Sequence, residues 1–245
     1  MSEPSLPLIF GMALCTVVGA AAQRATGMGF ALLASPFLVL VLGPFQGILV
    51  INVAGVIASS IVLLQVGRDV DWPRAAVIVP MGVIGVIPGA IAVDLLPGGP
   101  LAVVVSLIVI LGLAGTMLLR GRTLPHSPAL GAAGGLASGF MSVTAGVGGP
   151  GVVVYARATG WEHRHFAATA QLVGVTMGIV SLAAKRSLPS LGAAGWTALL
   201  LAIGAGLLVG NVAARRIDEQ AAMRAVMVIA MIGALLALGQ GIMRL

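Results

Sequence analysis

Eight residues, Thr144-Ala145-Gly146-Val147-Gly148-Gly149-Pro150-Gly151, set four glycines and a proline inside an apolar run. Proline offers no N–H and collides with the preceding turn, and each interior glycine costs about 1 kcal/mol against alanine, so a helix cannot continue through them. The chemistry such a break offers is anion binding. It exposes the N-terminus of the next helix, with its unpaired N–H donors and partial positive charge, and glycine lets a ligand approach the backbone closely. Gly146, Gly148, Gly149 and Pro150 are the candidates in this stretch. A weaker copy stands 119 positions earlier, where Gly27-Met28-Gly29-Phe30 falls on Gly146-Val147-Gly148-Gly149 and adds Gly27 and Gly29. The same offset carries Asn52 onto Gln171 and Gly55 onto Gly174 without a gap, and Gly89 pairs with Gly210 at an offset of 121.

The side chains near these breaks are few. Arg24 is the one basic residue embedded beside a break; it either grips an anion with its fork of donors or snorkels to an interface. Asn52 and Gln171, polar in apolar spans, either donate to the same anion or join helices by hydrogen bonds. The glycines at 82, 85, 89, 204, 206 and 210 are expected to serve close helix packing. His163 and His165 flank Arg164 in a loop, His126 belongs to a linker, and the lone Cys15 excludes a disulfide or a thiolate metal cluster. No metal or other cofactor is expected.

The elements that must position these residues are membrane helices. With 59% hydrophobic residues, 8% charged residues and a mean hydropathy of +1.13, the chain has too little polar surface for a soluble domain. The net charge of +6 is scattered between apolar segments and forms no nucleic-acid face. The first apolar run is read as a retained membrane segment, because no basic leader precedes it. Apolar segments are expected at about 6–23, 30–42, 46–66, 75–95, 101–119, 129–143, 151–159, 165–184, 192–213 and 221–242, with breaks at 23–29 and 144–151. The pieces at 30–42 and 151–159 are too short to cross a bilayer, which takes roughly 20 residues.

The proline-bearing linker 123–128 divides a first membrane repeat, 1–122, from a second, 129–245. If each broken segment turns back at its glycines, Arg68, Arg74, Arg120, Arg122, Arg157, Arg164, Arg215, Arg216 and Arg224 share one face, against Lys185, Arg186 and Arg244 on the other. The positive-inside rule favours that arrangement over one in which every segment crosses, and it places both termini outside. The expected fold is therefore an all-α polytopic membrane protein of two homologous halves. They are inverted repeats, each with a re-entrant or hairpin helix pair plus three spanning helices. A composition with twelve arginines and one lysine suggests a bacterial source, hence a multi-pass protein of the bacterial inner membrane.

The motifs Gly27-Met28-Gly29-Phe30 with Ser35-Pro36, Val70-Asp71-Trp72, and Gly146-Val147-Gly148-Gly149-Pro150 running on to Tyr155 resemble the sulfite exporter TauE/SafE family over most of the chain. The chain departs from the family at Met28-Gly29-Phe30, where a further glycine is expected, and at Tyr155, which takes the place of a proline. The resemblance implies an exporter of sulfite, sulfoacetate or a related organosulfonate, with a small sulfur-containing anion and the lipid bilayer as its partners.

A secondary transporter for a small anion is the leading class. An anion channel, or a membrane assembly subunit without carrier turnover, is the alternative. An intramembrane enzyme fits poorly, since the histidines lie in loops and Asp94 is the sole acidic residue even at the edge of a span. No nucleotide-binding motif is present.

Overall fold

The computed structural model describes residues 5–26, 30–96, 98–118, 125, 127–214, 216 and 219–243. Among them are ten α-helices and no strand: α1 (Leu6–Thr26), α2 (Phe30–Leu42), α3 (Pro44–Val66), α4 (Trp72–Leu95), α5 (Gly98–Leu118), α6 (Pro128–Ala145), α7 (Gly149–Ala158), α8 (His163–Lys185), α9 (Gly192–Ala214) and α10 (Glu219–Ile242). Six helices are long and apolar enough to cross a membrane. Their outer faces carry exposed Leu64, Leu95, Leu201 and Leu236, as a lipid-facing surface requires. The protein is an all-α polytopic membrane protein.

Local sequence sets the helix starts. Pro44, Pro73, Pro128 and Pro150 sit in the first turns of α3, α4, α6 and α7, where the missing N–H costs nothing. Asp71 caps α4 by accepting from the Arg74 N–H at 3.2 Å, and Ser127 caps α6 by accepting from the Ala129 N–H at 3.2 Å. The loop expected at 67–73 is largely helical, because a 3-10 turn at Gly67–Asp69 leads straight into that cap. Hydroxyls inside helices bond back four residues, as Thr16 does to Met12 O and Ser106 to Ala102 O, so they cost little in an apolar surrounding.

Contacts fix the helix directions. The α3–α4 turn lies beside the start of α8, through His165 Nδ1 against Asp69 O at 2.9 Å and the Asp71 N–H donating to Thr169 Oγ1 at 2.9 Å. The start of α6 lies beside the end of α7, where Gly131 meets Tyr155. This is the linker end of the molecule. At the opposite, terminal end, the start of α1 meets the end of α2 (Gly11 against Val41), the start of α3 meets the α8–α9 connection (Gln46 Oε1 accepting from Ser190 N–H at 3.2 Å), and α10 finishes beside the start of α5 (Gly241 against Val103). The α1–α2 hairpin therefore opens at the terminal end and the α6–α7 hairpin at the linker end.

The main packings are α4 on α6, α1 on α9, α3 on α8 and α5 on α10. Exchanging the first five helices for the second five maps this set onto itself. Individual contacts follow the same exchange. Gly89 lies against Phe140 and Val143, while Gly210 lies against Ala21 and Arg24, residues that stand 119 positions before that pair. Gly85 lies against Leu136 and Gly206 against Val17, again 119 positions apart. Glycine is required at these crossings because a Cβ would strike the opposing backbone. Buried Met12, Leu38, Ile51, Leu199 and Ile203 form the core where α1, α2, α3 and α9 meet, and Cys15 packs against it.

One expectation needs correction at the first break. Residues Gln23–Thr26 are helical, not broken, since glycine first appears at 27 and the Thr26 hydroxyl bonds to Ala22 O at 2.8 Å within the last turn of α1. The rest of that break, including the candidates Gly27 and Gly29, lies outside the described residues, as does His126.

Candidate functional site

The second break is a helix end followed at once by a helix start. Gly146 ends α6 in the left-handed conformation, φ 71°, and its N–H bonds to Ser142 O at 2.9 Å while the Val147 N–H bonds to Met141 O at 3.2 Å. The remaining carbonyls at the tip are mostly taken as well. Ser35 of α2 donates to Ala145 O at 2.7 Å, Lys185 of α8 donates to Val143 O, and Ser138 donates to Gly148 O at 2.7 Å. The acceptors here are largely satisfied, whereas α7 starts two residues later with no capping side chain. Its first-turn N–H groups, Gly149 and Gly151 among them, leave the break with an excess of donors and the positive end of a helix dipole.

That helix start borders a cavity of about 70 Å³ between the two halves. It is large enough for a small polyatomic ion or a few waters, and far from large enough for an extended solute. Gly146, Gly148, Gly149 and Val152 line one wall; Asn52, Gly55 and Ser59 of α3 line another; Gln171 and Gly174 of α8 a third; and Gln23 of α1 with Phe30 of α2 a fourth. Among the described residues, no charged side chain lines it. The lining follows the exchange of halves too: at the offset of 119, Gln23 falls on Ser142, Phe30 on Gly149, Asn52 on Gln171, Gly55 on Gly174 and Ser59 on Gly178, all of them lining residues.

Its polar groups are buried: Asn52 is 3% exposed, Gln171 2% and Gln23 4%. Gln23 Nε2 donates to Gln171 Oε1 at 2.7 Å and to Ser59 Oγ at 3.0 Å, tying α1 to α8 and α3. Asn52 Nδ2 and Gln23 Oε1 have no hydrogen-bond partner among the described residues. A buried unpaired donor costs about 1–3 kcal/mol, so Asn52 Nδ2 is held at a cost that a ligand acceptor would relieve.

The structure brings together Asn52, Gln171, Gly146, Gly148 and Gly149 of the sequence candidates. It does not bring Arg24 to them. Arg24 lies at the far end of α1 against α9, where its Nε donates to Asn211 Oδ1. Pro150 also turns away, since it packs against Gly112 and lines an apolar groove with Tyr155 and Val154. The left-handed glycine is Gly146, whereas Gly148 has φ −75°. His165 faces Glu162 at 3.6 Å and His163 packs beside Phe166, both at the linker end.

Gln23 and Ser59 are cavity residues that reading the sequence missed. Gln23 falls within the break expected at 23–29, although its match to Ser142 at the offset of 119 marks a position that is polar in both halves.

A family model described as Sulfite exporter TauE/SafE matches residues 12–238. No curated protein and no solved structure matches the chain. The match takes in both hairpins and every wall of the cavity, and by it the chain belongs to the sulfite exporter TauE/SafE family.

Proposed function

We propose that this protein is a secondary transporter of the inner membrane that carries a small sulfur oxyanion, sulfite or an organosulfonate, through the cavity between its two halves. The observation that carries this reading is Asn52 Nδ2, a buried donor without a partner, in a cavity that the α7 N-terminus also borders. A cavity of neutral donors suits an anion that must also leave. The family assignment supports transport over catalysis, and the cavity lining offers no nucleophile paired with a base.

The two halves, 1–122 and 129–245, are read as inverted repeats. Supporting this are the hairpins opening at opposite ends and the contacts at Gly89 and Gly210, and at Gly85 and Gly206, that interchange with the halves. In transporters built this way the substrate site lies at the repeat interface near the bilayer midplane. The linker end carries Arg68, Arg74, Arg157 and Arg164 and faces the cytoplasm on this reading, with the termini outside. Counterflow in proteoliposomes with sulfite, thiosulfate, sulfoacetate and taurine tests the assignment: saturable exchange of at least one of them is expected. Linear, unsaturable flux of every permeant anion would make the protein a channel.

A further inference from the structure

The start of α4 and the α7–α8 connection together carry a second set of unpaired donors that the central cavity does not use. The Arg74 guanidinium carbon stands 4.5 Å from the centre of the Trp161 ring and 5.9 Å from that of Tyr155. Trp161 is itself fixed edge-on between Tyr155, with centroids 5.8 Å apart, and Phe166, at 5.7 Å. This block of cation and rings sits at the linker end, and Tyr155 is one turn of α7 beyond Val152, which lines the central cavity.

The carboxylates nearby are already engaged. Asp71 faces Arg74 Nε at 3.4 Å and caps α4, while Asp69 is paired with Arg164 at 2.8 Å. Yet Arg74 Nη1 and Trp161 Nε1 are both buried without a hydrogen-bond partner among the described residues. Neither group can become an acceptor by flipping or changing tautomer, for guanidinium and indole nitrogens only donate. Two orphan donors in one stack, one of them cationic, ask for a ligand with two acceptor atoms and negative charge.

We propose that Arg74 Nη1 and Trp161 Nε1 form a second anion site, which holds a small oxyanion at the linker end. Its binding chemistry stands apart from the transport reading. Its role as a staging point for the central cavity rests on that reading.

Trp161 makes the site directly observable. With Trp72 and Trp196 replaced by phenylalanine, it is the sole tryptophan, and its fluorescence can be titrated with sulfate and methanesulfonate in detergent. Dimethyl sulfone, which has two acceptor oxygens and no charge, is the control. A saturable change is expected with both anions and none with the sulfone. Arg74→Gln should shift the midpoint at least tenfold to weaker binding, and Asn52→Leu, in the central cavity, should leave it where it is. Should Arg74→Gln fail to fold, Arg74→Lys keeps the charge beside Asp71 and the rings but removes Nη1, and the same tenfold shift is expected. An absent or unsaturable response, a midpoint unmoved by either Arg74 variant, or loss of the response in Asn52→Leu would each overturn the assignment. The last of these would place the anion in the central cavity alone.

Discussion

The two hairpins run in opposite directions, yet they meet the cavity with different chemistry. The α6–α7 hairpin meets it with backbone: a left-handed glycine closes one helix, and the next begins uncapped against the cavity. The α1–α2 hairpin meets it with a side chain, for α1 runs on to Thr26 and sends Gln23 to Gln171 and Ser59. Equivalent positions show the divergence: Gln23 corresponds to Ser142, and Arg24 to Val143. Helix packings that exchange with the halves thus border the cavity on both sides, while unlike side chains at matching positions set its lining.

The largest effects should come from the crossings that the halves share. A Cβ on Gly85 would come within 2.2 Å of the Leu136 carbonyl oxygen, and one on Gly206 within 2.5 Å of the Val17 carbonyl oxygen. Gly85→Val and Gly206→Val are each expected to cost about 3 kcal/mol and to lower the melting temperature by roughly 6–12 °C. Gly204→Ala, with nothing within 4 Å of its Cβ, should stay within about 0.5 kcal/mol of the parent protein in the same thermal-melt measurement. A large loss in only one of the two crossings would break the equivalence.

Next comes the break itself. Gly146→Ala imposes φ 71° on an L-residue and presses its methyl to 2.9 Å from Ile51. A cost of about 1–2 kcal/mol from conformation alone and at least a tenfold loss of uptake are expected. Gly148→Val should abolish uptake in a folded protein by crowding Ser138 and Ser142, whose atoms lie 3.2–3.3 Å from the new Cβ; normal uptake would remove this glycine from the site.

The paired amides sharpen the comparison further. Gln171→Leu breaks the hydrogen bond from Gln23 Nε2 and leaves it only Ser59 Oγ, so a stability lowered by about 1–3 kcal/mol is expected together with reduced transport. Asn52→Leu removes a donor that has no partner among the described residues, so transport should fall while stability holds or rises.

Arg24→Gln should do least to transport, within about threefold, because neither Arg24 nor its partner Asn211 lines the cavity. The loss should be equal for monovalent and divalent anions. A selective loss for divalent anions would return Arg24 to the binding site.

Much of this fold is legible in the sequence, because a bilayer allows only helices and closed barrels, and breaks in apolar runs are punctuated by Gly and Pro. The short helices Phe30–Leu42 and Gly149–Ala158, and the meeting of Asn52 with Gln171 across one cavity, follow from that punctuation and the repeat offset. Partners across long sequence gaps do not. Arg24 meets Asn211, 187 residues away, only because α1 crosses α9, and nothing local to Arg24 reports that crossing. Pro150 reads as part of the site by adjacency, yet a helix turns its residues by 100° each, and the one after Gly149 points away toward Gly112.

Whether the cavity between the halves is where the anion binds is tested most directly by sulfite counterflow in proteoliposomes carrying either the native protein or Asn52→Leu. Saturable counterflow in the native protein is expected, reduced at least tenfold in the variant, with both melting at the same temperature or the variant higher. Equal counterflow in the two, with unchanged saturation, would show that the anion passes without meeting Asn52 and would contradict the account.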